Sequence, residues 1–258
     1  MSFIAFQIIE KREETDVKRA IIVGASSGIG KELAKLIKHE YGIVGLAARR
    51  LSLLEALQQE LLGQAHISHM DISKPEEAVI KLRELIQAMG GLDLLVVCSG
   101  AGYENPDLKW EYERETIDVN VKGFTALACA GMQYFIKQGS GHFAAISSVA
   151  ALRGSGICPA YNASKAYMSN YLEGLSCKAG AYGKNIAVTD IKPGFVDTAM
   201  AQGEGLFWVA PPEKAAKQIF RIINKRKPGG YVTKRWGLIA LLLKIMPRWL
   251  YAQCFGRG

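Results

Sequence analysis

The sequence has little of what marks several protein classes. Its five cysteines, Cys98, Cys129, Cys158, Cys177 and Cys254, are odd in number and widely spaced, with no Cys-x-x-Cys among them. This argues against a disulfide framework and reads as free thiols in a reducing compartment. Cys98 and Cys129 lie in apolar segments and are expected to fill core. Histidine is scarce, at four residues. His66 and His69 are close in sequence, but on a strand they would face opposite sides, so no metal site is expected. There is no repeat, low-complexity tract or dividing linker. No helix-turn-helix, zinc-finger or RNA-recognition signature is present, so nucleic acid is not an expected partner. Met1 to Ile9 is apolar but lacks a basic start and a small-residue cleavage site, and Glu10-Lys11-Arg12-Glu13-Glu14 follows directly. A signal peptide is therefore not expected. Residues 1–17 read as a short strand or packed arm.

What is present suffices for a sizeable core: 258 residues, 49% hydrophobic. Folds of the α/β class with roughly 200–250 residues are routinely single domains. The net charge of +8 helps solubility and could attract an acidic partner or a membrane surface. The basic residues read as mostly scattered. Strand patterns at Ala20–Val23, Gly42–Ala47, Ile67–Met70, Leu92–Cys98, Phe143–Ile146, Ile186–Ile191 and Tyr231–Val232 alternate with helical stretches. These stretches are Lys31–Glu40, Leu51–Leu62, a helix opened by Pro75, Val119–Phe135, Pro159–Lys178 and Pro211–Asn224. Such alternation predicts a parallel sheet of seven strands with helices on both faces.

The first strand runs into Gly24-Ala25-Ser26-Ser27-Gly28-Ile29-Gly30 and then a helix. Glycine permits the tight turn and a close approach of backbone to a pyrophosphate, and the helix N-terminus offers free N–H groups. After the second strand comes Ala47-Ala48-Arg49-Arg50. A site for NAD usually has an acidic residue here for the ribose 2′-hydroxyl. A guanidinium suits a 2′-phosphate instead, which points to NADP(H). Asp71 follows the third strand, where it either reads an adenine amino group or caps the next turn.

Tyr161 and Lys165 share one helix face at i and i+4, with Ser148 shortly upstream. A phenol with a pKa of about 10 is a poor acid–base catalyst near neutrality, and a cation beside it favours the phenolate. Tyrosine as proton donor and lysine as its tuner suggest an enzyme that moves hydride between a nicotinamide and a carbonyl or alcohol.

The ordered set of glycine turn, Asp71, Asn120, Ser148, Tyr161, Lys165 and Pro193-Gly194 closely resembles the short-chain dehydrogenase/reductase family, over about residues 18–232. The resemblance implies a single doubly wound Rossmann-type domain. It implies that Tyr161 exchanges the proton. Lys165 binds the nicotinamide ribose and lowers the tyrosine pKa, and Ser148, rather than the neighbouring Ser147, holds the substrate oxygen. Asn120 would hold a backbone kink and a water. Gly24, Ser26, Ser27, Gly28, Ile29, Gly30, Arg49, Arg50, Asp71, Ile72, Ser99, Gly100, Pro193, Gly194, Val196 and Thr198 would line the cofactor with Tyr161 and Lys165. Two departures stand out. Val23 replaces the usual threonine, and Val97-Cys98-Ser99-Gly100 replaces the common Asn-Asn-Ala-Gly. These imply altered support for the cofactor rather than lost catalysis.

The substrate region should lie near Arg153 to Pro159, Phe195 and Met200 to Val209. Leu152, Ile157, Phe195, Met200, Leu206, Phe207 and Trp208 make it apolar. Residues 233–258 form an apolar and basic extension that Lys244 interrupts and Pro247 should break. It is shorter than the roughly 20 apolar residues a span requires. It could pack on the substrate mouth or on another subunit, or lie in a membrane interface. The expected protein is a homodimer or homotetramer, cytoplasmic or peripheral to a membrane. It would be a carbonyl reductase or alcohol dehydrogenase, with a 3-oxoacyl reductase serving an acyl carrier protein, or a non-catalytic NADP(H) sensor or scaffold, as rivals.

Overall fold

Successive residues of β1 (Arg19–Val23) enter different cores: Ile21 and Val23 on one side of the sheet, Ala20 and Ile22 on the other. This is the period of two expected of a strand covered on both faces. The computed structural model describes residues 17–63, 65–182, 185–199 and 207–255, with side chains to 253. The expected arm, apart from Val17, lies outside them, as do Met200, Leu206 and the side chain of Cys254.

Around β1 are arranged β2 (Ile43–Ala48), β3 (Ala65–His69), β4 (Leu94–Val97), β5 (Ser140–Ile146), β6 (Asn185–Pro193) and β7 (Gly229–Val232). They form one sheet in the order β3-β2-β1-β4-β5-β6-β7, every pair parallel. Helices α1 (Gly28–Lys38), α2 (Leu51–Glu60) and α7 (Pro212–Asn224) bury Leu33, Leu54 and Ala215 against one face. Helices α3 (Pro75–Met89), α5 (Phe124–Gln138) and α6 (Pro159–Ala181) bury Leu82, Leu127 and Met168 against the other. This is a doubly wound, Rossmann-like fold.

Local signals explain the element ends. Pro75 opens α3, Glu76 and Glu77 follow in its first turn, and Gly90 closes it at φ 72°. The sequence did not reveal α4 (Trp110–Ile117), because this polar helix buries only Thr116 and carries no apolar stripe. A π-helical turn, Asp118–Gly123, joins it to α5. Beyond β7 lie α8 (Trp236–Ile245) and α9 (Arg248–Phe255), separated at Pro247 as expected.

Cys129 corrects an expectation: it is exposed on α5, its Sγ 3.2 Å from the Tyr171 hydroxyl. The helix turns its neighbour Ala128 inward instead. Cys98 does pack against the core, where burial pushes its thiol up to about 12. Because β1 lies between β2 and β4, the chain winds outward in both directions from it. The crevice at the C-terminal ends of these strands is where ligands bind in such sheets.

Candidate active site

The end of β1 opens into a cradle. Gly24 takes φ 91°, a conformation that strains any residue with a side chain, and a Cβ there would lie 2.6 Å from the Ser99 nitrogen. A Cβ on Gly30 would lie 2.1 Å from the Gly24 carbonyl oxygen, so turn and helix touch through bare backbone. Ser27 stands at the N-cap of α1 without capping it by its side chain, and the first turn carries no acidic residue. The helix thus presents unsatisfied N–H groups and a positive dipole end to the crevice. Where the usual asparagines are replaced, the Cys98 and Ser99 amides donate to the Val23 carbonyl at 2.7 and 3.1 Å. Backbone bonds therefore close that seam. Thr198 reaches the same turn, its methyl 2.9 Å from where a Gly28 Cβ would stand.

The two arginines after β2 differ. Arg50 donates to the Ser26 and Ser27 hydroxyls at 3.0 and 2.6 Å, directly over the turn. Arg49 is 60% exposed and pairs loosely with Glu115 at 3.9 Å. Asp71 caps the next turn: one carboxylate oxygen accepts from the Ser73 amide and hydroxyl at 3.0 and 2.8 Å. Ile72 and Val196 turn their side chains into the two cores, so only their backbones are available to a ligand. A cradle of closely packed glycine backbone and a free helix N-terminus, with two guanidinium groups beside it, fits the pyrophosphate of a dinucleotide.

The expected catalytic side chains converge at the ends of β5 and α6. Ser148 begins a 3₁₀ turn, Val149–Leu152, accepts from the Ala150 amide at 3.1 Å, and is a hydrogen-bond partner of the Tyr161 hydroxyl. Ser147 turns away from this group. Its hydroxyl donates to the Asp190 carboxylate and lies 3.2 Å from the Ile191 carbonyl, inside the protein. Lys165 sits under Tyr161, its Nζ 5.7 Å from the ring centroid. Burial lowers its pKa to about 8, against the field of Asp190.

The tuning of Tyr161 requires a correction. Its pKa is raised above 10, not lowered: burial disfavours the phenolate, and the bond with Ser148 only partly offsets this. The Lys165 ammonium donates to the Ile146 carbonyl at 2.9 Å rather than to the phenol.

Asn120 lies within the π turn and clamps Ala101, accepting from its amide at 2.8 Å and donating to its carbonyl at 2.7 Å. It also donates to the Ser164 hydroxyl at 2.9 Å, which ties the loop after β4 to α6. The next residue, Gly102, brings its backbone against the Tyr161 ring: a Cβ there would be 2.4 Å from Cδ2. Nothing in the sequence singled out Gly102 or Ser164.

The chain matches the family described as short chain dehydrogenase over residues 18–206. It belongs to that family. An uncharacterized oxidoreductase of Myxococcus xanthus is 34% identical over 192 residues, covering 72% of this chain and 75% of that protein. Among solved structures, the NADPH-dependent 3-quinuclidinone reductase of Rhodotorula rubra is 25% identical at a TM-score of 0.71, covering 79% of this chain and 83% of its own. An alcohol dehydrogenase of Thermococcus sibiricus, complexed with 5-hydroxy-NADP, shares the fold at a TM-score of 0.74 and 22% identity, covering 84% and 96%. This chain is thus an oxidoreductase of the short-chain dehydrogenase family with a nucleotide-binding Rossmann fold.

The extension of this short-chain dehydrogenase packs over the site. Trp236 lies on Gly194, where a Cβ would meet its indole at 2.0 Å. Trp236 also meets Phe195 and Trp208 edge to face, at centroid distances of 5.4 and 6.2 Å, and Phe207 at a tilt, at 5.1 Å. Arg153 donates to the Leu243 and Met246 carbonyls at 3.2 and 2.9 Å, and Tyr251 donates to the Gly154 carbonyl at 2.6 Å. The extension therefore meets the loop that follows Ser148. Sequence reasoning offered this as one of three alternatives and passed over Tyr251 as an anchor; Trp236, which it set beside Trp249 in a membrane interface, is instead buried against the protein.

Proposed function

We propose that this protein is an NADP(H)-dependent reductase of apolar carbonyl compounds. The observation that carries the reading is the convergence of Ser148, Tyr161 and Lys165 beside the glycine cradle. The bound nicotinamide would supply or accept the hydride. Gly24, Gly28 and Gly30 with the α1 N-terminus would hold its pyrophosphate, and Arg49 and Arg50 its 2′-phosphate. Pro193, Gly194 and Thr198 would flank the nicotinamide end. Tyr161 donates a proton to the substrate oxygen. At neutral pH the phenol holds the proton that a reduction consumes. Ser148 hydrogen-bonds the same oxygen and stabilises charge developing there. Lys165, with a pKa of about 8, is still mainly an ammonium at pH 7 and sets a positive field beneath the ring. The NADPH named for the Rhodotorula enzyme supports the cofactor, and the aromatic wall of Phe195, Phe207, Trp208 and Trp236 supports an apolar substrate. A homodimer or homotetramer and a cytoplasmic location belong to the same reading.

The test is titration with NADPH and NADH by nicotinamide fluorescence, followed by apolar ketones, aldehydes and 3-oxoacyl thioesters. Turnover confined to the thioesters would favour the acyl-carrier rival. Tyr161→Phe should abolish turnover and spare NADPH binding. A Tyr161→Phe protein that keeps its cellular function would identify a sensor instead.

A further inference from the structure

The positive charge of this chain is not scattered. After Glu213 come eleven lysines and arginines and no aspartate or glutamate, so residues 1–213 carry a net charge of −3. Within that basic segment, α8 is apolar on opposite sides. Trp236 and Ala240 are buried against the protein. Leu238, Leu241, Leu242 and Ile245 stand 73%, 60%, 50% and 70% exposed. Their spacing of three and four places them on one helix face. Trp249, near the start of α9, is exposed as well, as are Phe207 and Trp208 beside the buried edge of α8.

This face is held in place from behind. Arg153 binds the carbonyls at the end of α8, its guanidinium stacks 4.5 Å from the Tyr251 ring, and Arg235 stacks 4.9 Å from Trp208. Lys234, Lys244 and Arg248 are exposed at its margins. No helix among the described residues is long and apolar enough to cross a membrane.

We propose that the exposed face of α8, with Trp249 and the flanking basic residues, docks on an anionic lipid surface. An apolar helix face with a basic rim and interfacial tryptophan is what such a surface recognises. A second copy of the chain fits less well. A twofold contact would bring the same basic rim against itself, with no acidic residue in the segment to answer it. The proposal is independent of the reductase reading, since lipid docking needs no turnover.

The experiment is co-sedimentation of the full chain with vesicles of phosphatidylcholine, with and without phosphatidylserine. NADPH fluorescence is followed in the same samples, so that loss of cofactor binding is seen separately. The wild type should bind phosphatidylserine vesicles roughly tenfold or more tightly than neutral ones, and less in high salt. Leu238→Ser/Leu242→Ser/Ile245→Ser should weaken binding to both vesicles by about tenfold or more. Lys234→Gln/Lys244→Gln/Arg248→Gln, which leaves the apolar face intact, should abolish the preference for phosphatidylserine. A wild-type chain that ignores phosphatidylserine vesicles would overturn the proposal, as would serine and glutamine variants that bind like the wild type. A dimer mass that falls to monomer in the serine variant, without vesicle binding by the wild type, would assign the face to a second copy.

Discussion

Replacing both arginines behind β2 should remove the discrimination between NADPH and NADH. The two cofactors differ by one phosphate, so any contact specific to it appears as a difference between two titrations on one protein. A charge-assisted hydrogen bond contributes about 1.5–3 kcal/mol, with the lower end suited to exposed groups. Arg49 is 60% exposed and its ion pair with Glu115 is long, at 3.9 Å, so little is lost in releasing it to a ligand. Arg50 is already held over the cradle by Ser26 and Ser27, so little further ordering is required of it. Two such contacts at the lower end give about 3 kcal/mol, or a Kd for NADPH raised more than about 100-fold. The NADH Kd should move by less than about threefold. Each single variant should weaken NADPH by about tenfold, Arg50→Ala more than Arg49→Ala. Fluorescence titration of wild type, both single variants and the double variant measures all of this. Equal weakening of NADPH and NADH would refute the 2′-phosphate assignment and leave the arginines as supports of the turn.

Three further outcomes follow from the geometry. Gly102→Ala places a Cβ 2.4 Å from the Tyr161 ring, which must shift by about 1 Å. Steady-state kinetics should show kcat reduced about 100-fold, with the NADPH Kd from fluorescence nearly unchanged, and an unchanged kcat would separate Tyr161 from the chemistry. Asn120→Ala leaves the buried Ala101 amide and carbonyl without their partner. It should cost about 2–4 kcal/mol in urea unfolding, and a loss under about 1 kcal/mol would refute the clamp. His142 is buried and held at a pKa of about 4 by desolvation, with its Nε2 2.8 Å from the Thr189 hydroxyl. A depressed folded-state pKa means that its contribution is complete above pH 6.5 and lost as pH falls through about 4. Wild type should lose about 3 kcal/mol more stability than His142→Gln between pH 7 and pH 4, and parallel pH curves would refute this.

The sheet was legible because its strands are buried on both faces and read as short apolar runs between helical periods. Ala20–Val23 and Phe143–Ile146 needed nothing else. Helix α4 was not legible, because polar contacts from the preceding loop hold Trp110 to Ile117, and no apolar stripe marks the helix. Asn105, for example, bonds the Lys109 backbone and Glu113. The exposed position of Cys129 was missed for a related reason. A wholly apolar helix segment such as Leu127-Ala128-Cys129-Ala130 does not announce which side faces the sheet.

Spacing told which groups of the site would be neighbours, but not what their surroundings would do to them. Tyr161 and Lys165 share a face because four residues make about one helical turn. Whether the lysine charge reaches the phenol depends on burial and competing acceptors, which only the fold supplies. Here the Ile146 carbonyl takes the ammonium, and Gly102 presses on the ring. The outcome is a phenol held in its acid form and a lysine softened to about 8. A raised pKa makes the phenol a weaker acid, so its proton has to be drawn off by the charge that develops on a substrate oxygen.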